Sequence, residues 1–325
     1  MTYLENSKQY TGSDLENIFF RPMLTGESAQ DLGVRVLYNM PQPTHVQLWD
    51  GQRNILQKFT SAGWAGGKAA TKYEKTVNLN RVKAELGFSA ANYFSMVYEK
   101  VSSLVNTHMD DLSGTELEQA ETALFKQALA ENIRVTMWIG DTSAASGYNT
   151  FDGLLKRING LVDDDGVYNF SYQAAALEDP AYAVELFDKL WAGADPRIPG
   201  LKADDRLAYF VSSDIYRLYE KYLDAKGADA AYADAMNGRR TLAYHGIPVV
   251  DVRLGSYLGV TSFRQSFVML TDRRNLVLAV NTADMPGNEV RMWYNPDEME
   301  NRQRAVFMAG TQILDEALIS FAYKQ

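Results

Sequence analysis

The sequence predicts an α+β fold, in which helices and strands are mixed along the chain without regular alternation. Apolar and polar residues alternate with a period of two from Tyr73 to Asn80, which indicates a strand. From Ser89 the apolar residues follow a helical period instead. The apolar run Leu207–Val211 is typical of a buried strand. A doubly wound parallel sheet would require strands and helices to alternate regularly along the chain, so the mixed order favours an α+β fold.

The composition is that of an ordinary globular protein. The chain has 325 residues, enough for two domains or one elaborated domain, and 46% of them are hydrophobic. It contains no cysteine, which excludes disulfides and thiolate catalysis, and its polar N-terminus has no apolar signal region. The net charge of −9 disfavours direct nucleic-acid binding as the main function, but an acidic surface suits a container that must not adhere to enclosed DNA.

The first forty residues are interpreted as an arm. Ser13 and Glu16 have the spacing of a capping box before an apolar stretch, so a short helix is expected there. Pro41 and Pro43 mark a rigid junction, and a long hairpin follows to about Gly87.

The Gly-rich tip of this hairpin allows three interpretations. A phosphate-binding loop needs four residues between its glycines and a hydroxyl after the lysine, but Gly63 and Gly67 are one residue too close and Ala69 follows Lys68. A nucleotide-dependent enzyme is therefore a weak alternative. The others are a flexible surface hairpin and an arm that grips a neighbouring subunit.

The middle of the chain predicts a long helix. Ser113 and Glu116 form a second capping box, and Gly140 ends the helix. Its expected inward stripe consists of Leu117, Ala120, Leu124, Ala128 and Val135.

Further elements follow from local patterns. A helix is expected after Asp179-Pro180, another over 215–222 and a strand over 247–252. The apolar runs 267–270 and 276–280 are predicted to form a hairpin-like pair. The stretch 305–323 is ambiguous between helix and strand.

Residues for catalysis or metal binding are not evident. His45, His108 and His245 lack metal-ligand spacing, and no nucleophile elbow occurs. The acids of Asp163–Gly166 are consecutive rather than alternating, so a solvated turn is favoured over a calcium loop or a weak cation site at a subunit contact. We therefore expect no catalytic, cofactor-binding or metal-binding residues. The tyrosines between 209 and 232 fit an interface or a core equally well.

The order of several motifs resembles one family. The long helix ends in Ile139-Gly-Asp141, and Phe151-Asp-Gly-Leu-Leu155 follows. Tyr209–Tyr216 and Tyr244-His-Gly-Ile-Pro-Val-Val250 come next. In this order they resemble the major capsid proteins of tailed bacteriophages, whose fold encapsulin shells share. The resemblance covers about residues 30–323.

The resemblance implies a division of the chain. Residues 1–42 would be the N-terminal arm and 43–88 the extended loop over an adjacent subunit. Residues 89–199 and 286–325 would form the peripheral domain, with a spine helix at about 115–138. Residues 200–285 would form the axial domain.

The resemblance also implies a function. The chain would assemble with itself, as hexamers and pentamers, into an icosahedral shell around phage double-stranded DNA. Scaffolding, portal and decoration proteins are expected partners, and assembly is expected in the host cytoplasm, with no membrane involved. The alternatives are an encapsulin-like compartment that holds a cargo enzyme and an isolated monomeric domain.

Five residues are the expected intersubunit contacts at the tip of the extended loop: Gly63, Trp64, Gly67, Lys68 and Lys72. The glycines would let the tip bend, Trp64 would anchor it, and the lysines would pair with acids. In one branch of the family a lysine forms an isopeptide bond with a neighbour's asparagine, for which Lys68 or Lys72 with Asn301 would be the candidates here.

Overall fold

The fold was obtained as a computed structural model. The part of the chain that it describes comprises residues 8–21, 34–40, 44–49, 72–89, 116–162, 167–202, 205–226, 232–233, 241–255, 257, 266–281, 288–295, 297–298 and 300–325.

Both helices and strands occur throughout the described residues. The strands are β1 (Lys8–Tyr10), β2 (Arg35–Tyr38), β3 (Thr44–Trp49), β4 (Lys72–Val77), β5 (Asn80–Ser89), β6 (Tyr168–Tyr172), β7 (Leu207–Val211), β8 (Tyr232–Ala233), β9 (Thr241–Tyr244), β10 (Ile247–Asp251), β11 (Phe267–Asp272), β12 (Leu276–Asn281), β13 (Glu289–Asn295), β14 (Glu300–Ile313) and β15 (Ile319–Lys324). The helices are α1 (Gly12–Asp14, continued as a π-helix over Leu15–Phe20), α2 (Glu116–Ile139), α3 (Leu154–Leu161), α4 (Tyr182–Ala192), α5 (Ile198–Lys202) and α6 (Ser213–Ala225). The mixed order confirms the predicted α+β class.

The chain divides into two compact units. The first contains Met1–Pro41, Leu79–Lys156 and Leu278–Thr311. The second contains Gln42–Asn78, Arg157–Val277 and Gln312–Gln325.

The first unit is built on a six-stranded sheet around β14. β14 pairs antiparallel with β5 on one side and β13 on the other, and from Glu300 to Ala309 its residues alternate between half-buried and buried. Ala305, Phe307 and Ala309 therefore face one apolar side of the sheet.

Helix α2 follows the predicted inward stripe only in part. Val135 is 0% exposed, as predicted, but Leu124 is 37% exposed, and its neighbours Phe125, Leu129 and Ile133 are at most 4% exposed. Around Leu124 the prediction was displaced by one residue, because alanines and leucines on both sides of the stripe fit a helical period. The side chains of Leu117 and Ala120 lie outside the described part of the structure.

The N-terminal residues fold onto the first unit's own sheet. β1 pairs with β13, and Phe20 lies edge-on to Phe307 with 5.0 Å between ring centroids. The predicted capping box is not formed, because the helix begins at Gly12 and Glu16 instead accepts a hydrogen bond from Arg21.

The second unit contains a seven-stranded sheet in the order β6-β15-β11-β7-β10-β9-β8. β7 and β11 are buried along their whole length, and α4 and α6 pack against the sheet. β9 and β10 are joined by a tight turn in which His245 and Gly246 both have positive φ, at 50° and 80°. Such a turn matches the twist of a two-residue hairpin.

The predicted pair 267–270 and 276–280 is not a hairpin. β11 lies between β15 and β7, whereas β12 lies between β14 and β2 in the other sheet. The 3-10 turn Arg273–Asn275 carries the chain from one sheet to the other. Every residue of both strands is buried, so each strand needs partners on both sides, and a short isolated hairpin could not supply them.

The compact units group the chain by its contacts, and the predicted division into arm, extended loop, peripheral domain and axial domain stays a prediction. Residues 157–199 and 312–325, predicted as peripheral, belong to the same unit as 200–277. The reason is that β15 pairs with both β11 and β6.

Candidate assembly interface

The predicted hairpin has the two-stranded pair β3–β4 at its base. The strands are antiparallel, with Thr44 opposite Val77 and Trp49 opposite Lys72. Val46 and Val77 are 3% and 0% exposed, so the base of the loop is anchored in apolar surroundings. Residues 50–71 therefore connect two paired strands, as the hairpin interpretation requires.

The expected contact residues lie almost entirely beyond this base. Gly63, Trp64, Gly67 and Lys68 fall outside the described residues. Lys72 is the first residue of β4, and its side chain is likewise not described. Their role in intersubunit contacts stays a prediction.

Polar contacts that the sequence did not reveal hold the base of the hairpin to the rest of the second unit. Lys75 Nζ lies 2.6 Å from Glu316 Oε1, and Gln312 Nε2 donates to the Thr76 carbonyl at 2.8 Å. Arg157 Nη1 in turn donates to Gln312 Oε1 at 3.2 Å. These contacts bring together residues far apart in sequence, so no local pattern could have identified them.

The two glycines of the capsid-like motifs pack backbone against backbone. Gly153 N donates to Gly140 O at 2.8 Å. A Cβ on Gly140 would lie 2.2 Å from the Phe151 carbonyl oxygen, and one on Gly153 would lie 2.5 Å from Gly140 N. Neither contact leaves room for a side chain, which explains both glycines physically.

The two aspartates of the same motifs hold one lysine. Lys156 Nζ lies 2.7 Å from Asp141 Oδ1 and 2.6 Å from Asp152 Oδ1. The hydrogen bond from Lys156, with one from the Ser143 backbone, lowers the pKa of Asp141. Burial opposes ionisation of Asp152, but hydrogen bonds from Lys156 and Thr142 outweigh it and lower the pKa of that carboxyl. Lys156 follows Asp152 by four residues, a helical ion-pair spacing that the sequence analysis missed.

Replacing Lys156 with Met is expected to lower the free energy of unfolding by about 1 kcal/mol at pH 7, since the pairs are partly exposed. Because the aspartate pKa values are lowered, the pairs stabilise fully above the ordinary value of about 3.9 and lose their effect as the pH falls through the lowered values. The difference between the two proteins should therefore shrink at pH 3. Urea unfolding at both pH values measures it.

The matched control is Lys83→Met, whose single pair with Glu85 is exposed on both sides. A Lys156 variant that costs no more than this control would contradict a structural role for the cluster.

The tyrosine cluster of the second unit is partly core. Tyr209 and Tyr219 are 1% and 3% exposed, and both rings lie about Phe187, at 4.8 and 5.2 Å between centroids. Burial raises the pKa of Tyr219 to about 12. Tyr216 and Tyr222 are only half-buried. The core interpretation therefore holds for the first pair.

Asn301 is not accessible in this structure. It is 6% exposed, and its Nδ2 donates to Glu121 Oε1 at 3.3 Å beneath helix α2. In this structure its amide is engaged with Glu121, and the isopeptide bond with Lys68 or Lys72 stays a prediction.

The described residues carry neither a metal-binding cluster nor a membrane-spanning helix. Within the described part of the chain, no group of three His, Cys, Asp or Glu side chains could hold a metal ion. No helix among those same residues is long and apolar enough to cross a membrane. The acidic turn Asp163–Gly166 and His108 lie outside the described residues.

Comparison with known proteins shows similarity in structure only. No protein-family model and no curated protein matches the chain. A chain of the satellite phage P4 procapsid, which includes the size determination protein Sid, has a TM-score of 0.58 and 10% identity, covering 94% of this chain and 90% of that chain. The capsid of a native GTA particle has a TM-score of 0.52 and 13% identity, covering 91% and 89%. A holo-encapsulin complex from Synechococcus elongatus reaches 0.47 at 9% identity over 88% and 84%, a similarity too low to add to the argument.

Both of the stronger matches span nearly the whole chain. At these identities they define the fold. The chain therefore has the α+β fold of phage major capsid proteins, and the resemblance found in its sequence is confirmed.

Proposed function

We propose that this chain is a major capsid protein, which assembles as hexamers and pentamers into an icosahedral shell around phage double-stranded DNA. The observation that carries the proposal is the match to the P4 procapsid chain over 94% of this sequence. A similarity of such extent concerns the whole architecture rather than one shared domain. The chain would then act through many modest contacts between copies, with no catalytic residues.

The hairpin is the proposed arm between subunits. Residues 50–71, which connect β3 to β4 within the predicted loop 43–88, would lie over an adjacent copy, with Gly63, Trp64, Gly67 and Lys68 among them and Lys72 directly after them. The paired base and its polar attachment to Glu316 and Gln312 support this role, because they hold in place the two strands that residues 50–71 connect.

The remaining assignments belong to the same proposal. The shell would be the capsid of a virion, assembled in the host cytoplasm with scaffolding, portal and decoration proteins. The net charge of −9 supports the enclosure of DNA without sequence-specific binding, because an acidic wall repels phosphates.

The contents of the particles test the proposal. Shells that contain this chain, isolated from cells producing them, should hold nuclease-protected DNA and show absorbance at 260 nm well above that of protein. Shells that hold a cargo enzyme and no DNA would instead support the encapsulin-like alternative.

At the tip of the arm, Trp64→Ala is expected to weaken assembly more than Lys68→Ala. Buried aromatic residues dominate contact energies, whereas an exposed lysine contributes little. The concentration at which particles form, measured by light scattering, should rise by about tenfold for the tryptophan variant and about twofold for the lysine variant. Equal or reversed effects would exclude Trp64 as the anchor.

A further inference from the structure

Among the residues that the structure describes, the seven-stranded sheet ends in a strand with a partner on one side only. β6 pairs in parallel with β15, with Tyr168 opposite Ser320 and Tyr172 opposite Lys324. Within the described residues, β6 is the terminal strand of this sheet and has no second strand neighbour. A free edge presents unpaired backbone groups that can hydrogen-bond another strand.

The direction of these groups follows from one hydrogen bond. The Tyr172 carbonyl accepts from Gln325 N at 2.9 Å, so the backbone of Tyr172 faces β15. Because backbone direction alternates along a strand, the N–H and C=O groups of Asn169 and Ser171 face away from β15. The Asn169 side chain is engaged elsewhere, donating to the Val162 and Val167 carbonyls.

This edge lacks the usual protection against pairing. The sequence of β6, Tyr-Asn-Phe-Ser-Tyr, contains no charge and no proline. By contrast β5, which pairs only with β14 in its sheet, exposes Arg81, Lys83 and Glu85. Natural proteins place such charges on edges that must stay unpaired.

An exposed aromatic residue lies at the start of the same edge. Tyr168 is 41% exposed, and its ring lies 6.0 Å from that of Phe170. The ring also covers Gly193, where a Cβ would come within 2.1 Å of it. The side chain is thus held in place before any partner arrives, which reduces the entropy lost on binding.

We propose that the free edge of β6 is an intersubunit contact, which pairs with an extended segment of a second copy of this chain. The inference rests on the proposed function and names a contact surface for it. Copies with a charge of −9 repel one another, so they associate best where no like charges meet, and the uncharged β6 edge meets that condition. A nucleic-acid partner would instead require cations on this strand.

Two substitutions of exposed Ser171 test the edge. Ser171→Lys places a charge on it, and Ser171→Pro removes one outward-facing N–H. Each should raise the concentration needed for assembly by about tenfold or more, with the thermal midpoint of the unassembled chain nearly unchanged.

Ser171→Thr, which keeps the strand neutral, and Gln127→Lys, which adds the same charge on the exposed side of α2, should assemble like the wild type. Hydrogen exchange of the wild type should show the Asn169 and Ser171 amides becoming protected on assembly.

The outcomes separate the two proposals. If the wild type assembles and both Ser171 variants assemble equally well, with these amides still unprotected, the β6 contact is wrong and the capsid function stands. Protection that requires a different added protein would likewise overturn pairing with a second copy. A wild-type chain that stays monomeric at every concentration, both alone and in cells that also make its scaffolding protein, would overturn the capsid function and the β6 contact together.

Discussion

A chain that lacks residues 60–71 is expected to fold but not to close shells. The deletion removes four of the five predicted contact residues and leaves residues 50–59 to connect β3 to β4. The described core lies outside the deleted segment, including Val46, Val77 and the attachment of Lys75 to Glu316. The result should therefore be a folded monomer or capsomer and a loss of closed particles of at least about tenfold, as expected when central contacts are removed.

Electron microscopy of the purified variant, together with its thermal midpoint, measures both parts of this expectation. A control variant in which a Gly/Ser segment of the same length replaces residues 60–71 separates the effect of the tip's sequence from the effect of its length. Normal shells from the deleted chain would refute the arm.

Replacing Gly153 with Ala is expected to lower the free energy of unfolding by about 3 kcal/mol or more, because the new Cβ meets rigid backbone rather than a movable side chain. Gly140→Ala should be similarly damaging, since its Cβ would lie 2.2 Å from the Phe151 carbonyl oxygen. Equilibrium urea unfolding measures both.

Gly160 supplies the matched control within the neighbouring helix α3. A Cβ there would meet no atom within 4 Å. Alanine is the better helix former, so Gly160→Ala should stabilise the chain by about 0.5–1 kcal/mol. If Gly153→Ala is tolerated as well as Gly160→Ala, the close packing of the two motif glycines is not what stabilises this turn.

Elements with strong local signals could be predicted from the sequence. The helix expected over 115–138 is present as Glu116–Ile139, and the strand at Leu207–Val211 is reproduced residue for residue. Apolar periods and terminating glycines act within a few positions of each other, so one sequence is enough to reveal them. The His245-Gly246 turn belongs to the same group.

Long-range pairing could not be derived in the same way. The runs that form β11 and β12 look like a hairpin, but their partners, β7, β15, β14 and β2, lie elsewhere in the sequence. Fully buried strands carry no alternation that would reveal which sheet they join. The split of the C-terminal stretch between β14 and β15 has the same cause.

The sequence singled out the glycines and aspartates of the two capsid-like motifs, but it did not reveal which residues they contact. The burial of Asn301 under α2 and the ion pair between Lys75 and Glu316 depend on tertiary structure. The ion pair between Lys156 and Asp152 differs from these contacts, because its four-residue spacing is a local signal that could have been recognised in the sequence.

The size of the purified wild-type chain, expressed alone and measured by light scattering and negative-stain microscopy, tests the central claim most directly. A self-assembling capsid protein predicts shells, tubes or capsomer rings whose amount rises with concentration. A particle with the mass of one chain at every concentration, both alone and when co-expressed with the scaffolding protein, would contradict it.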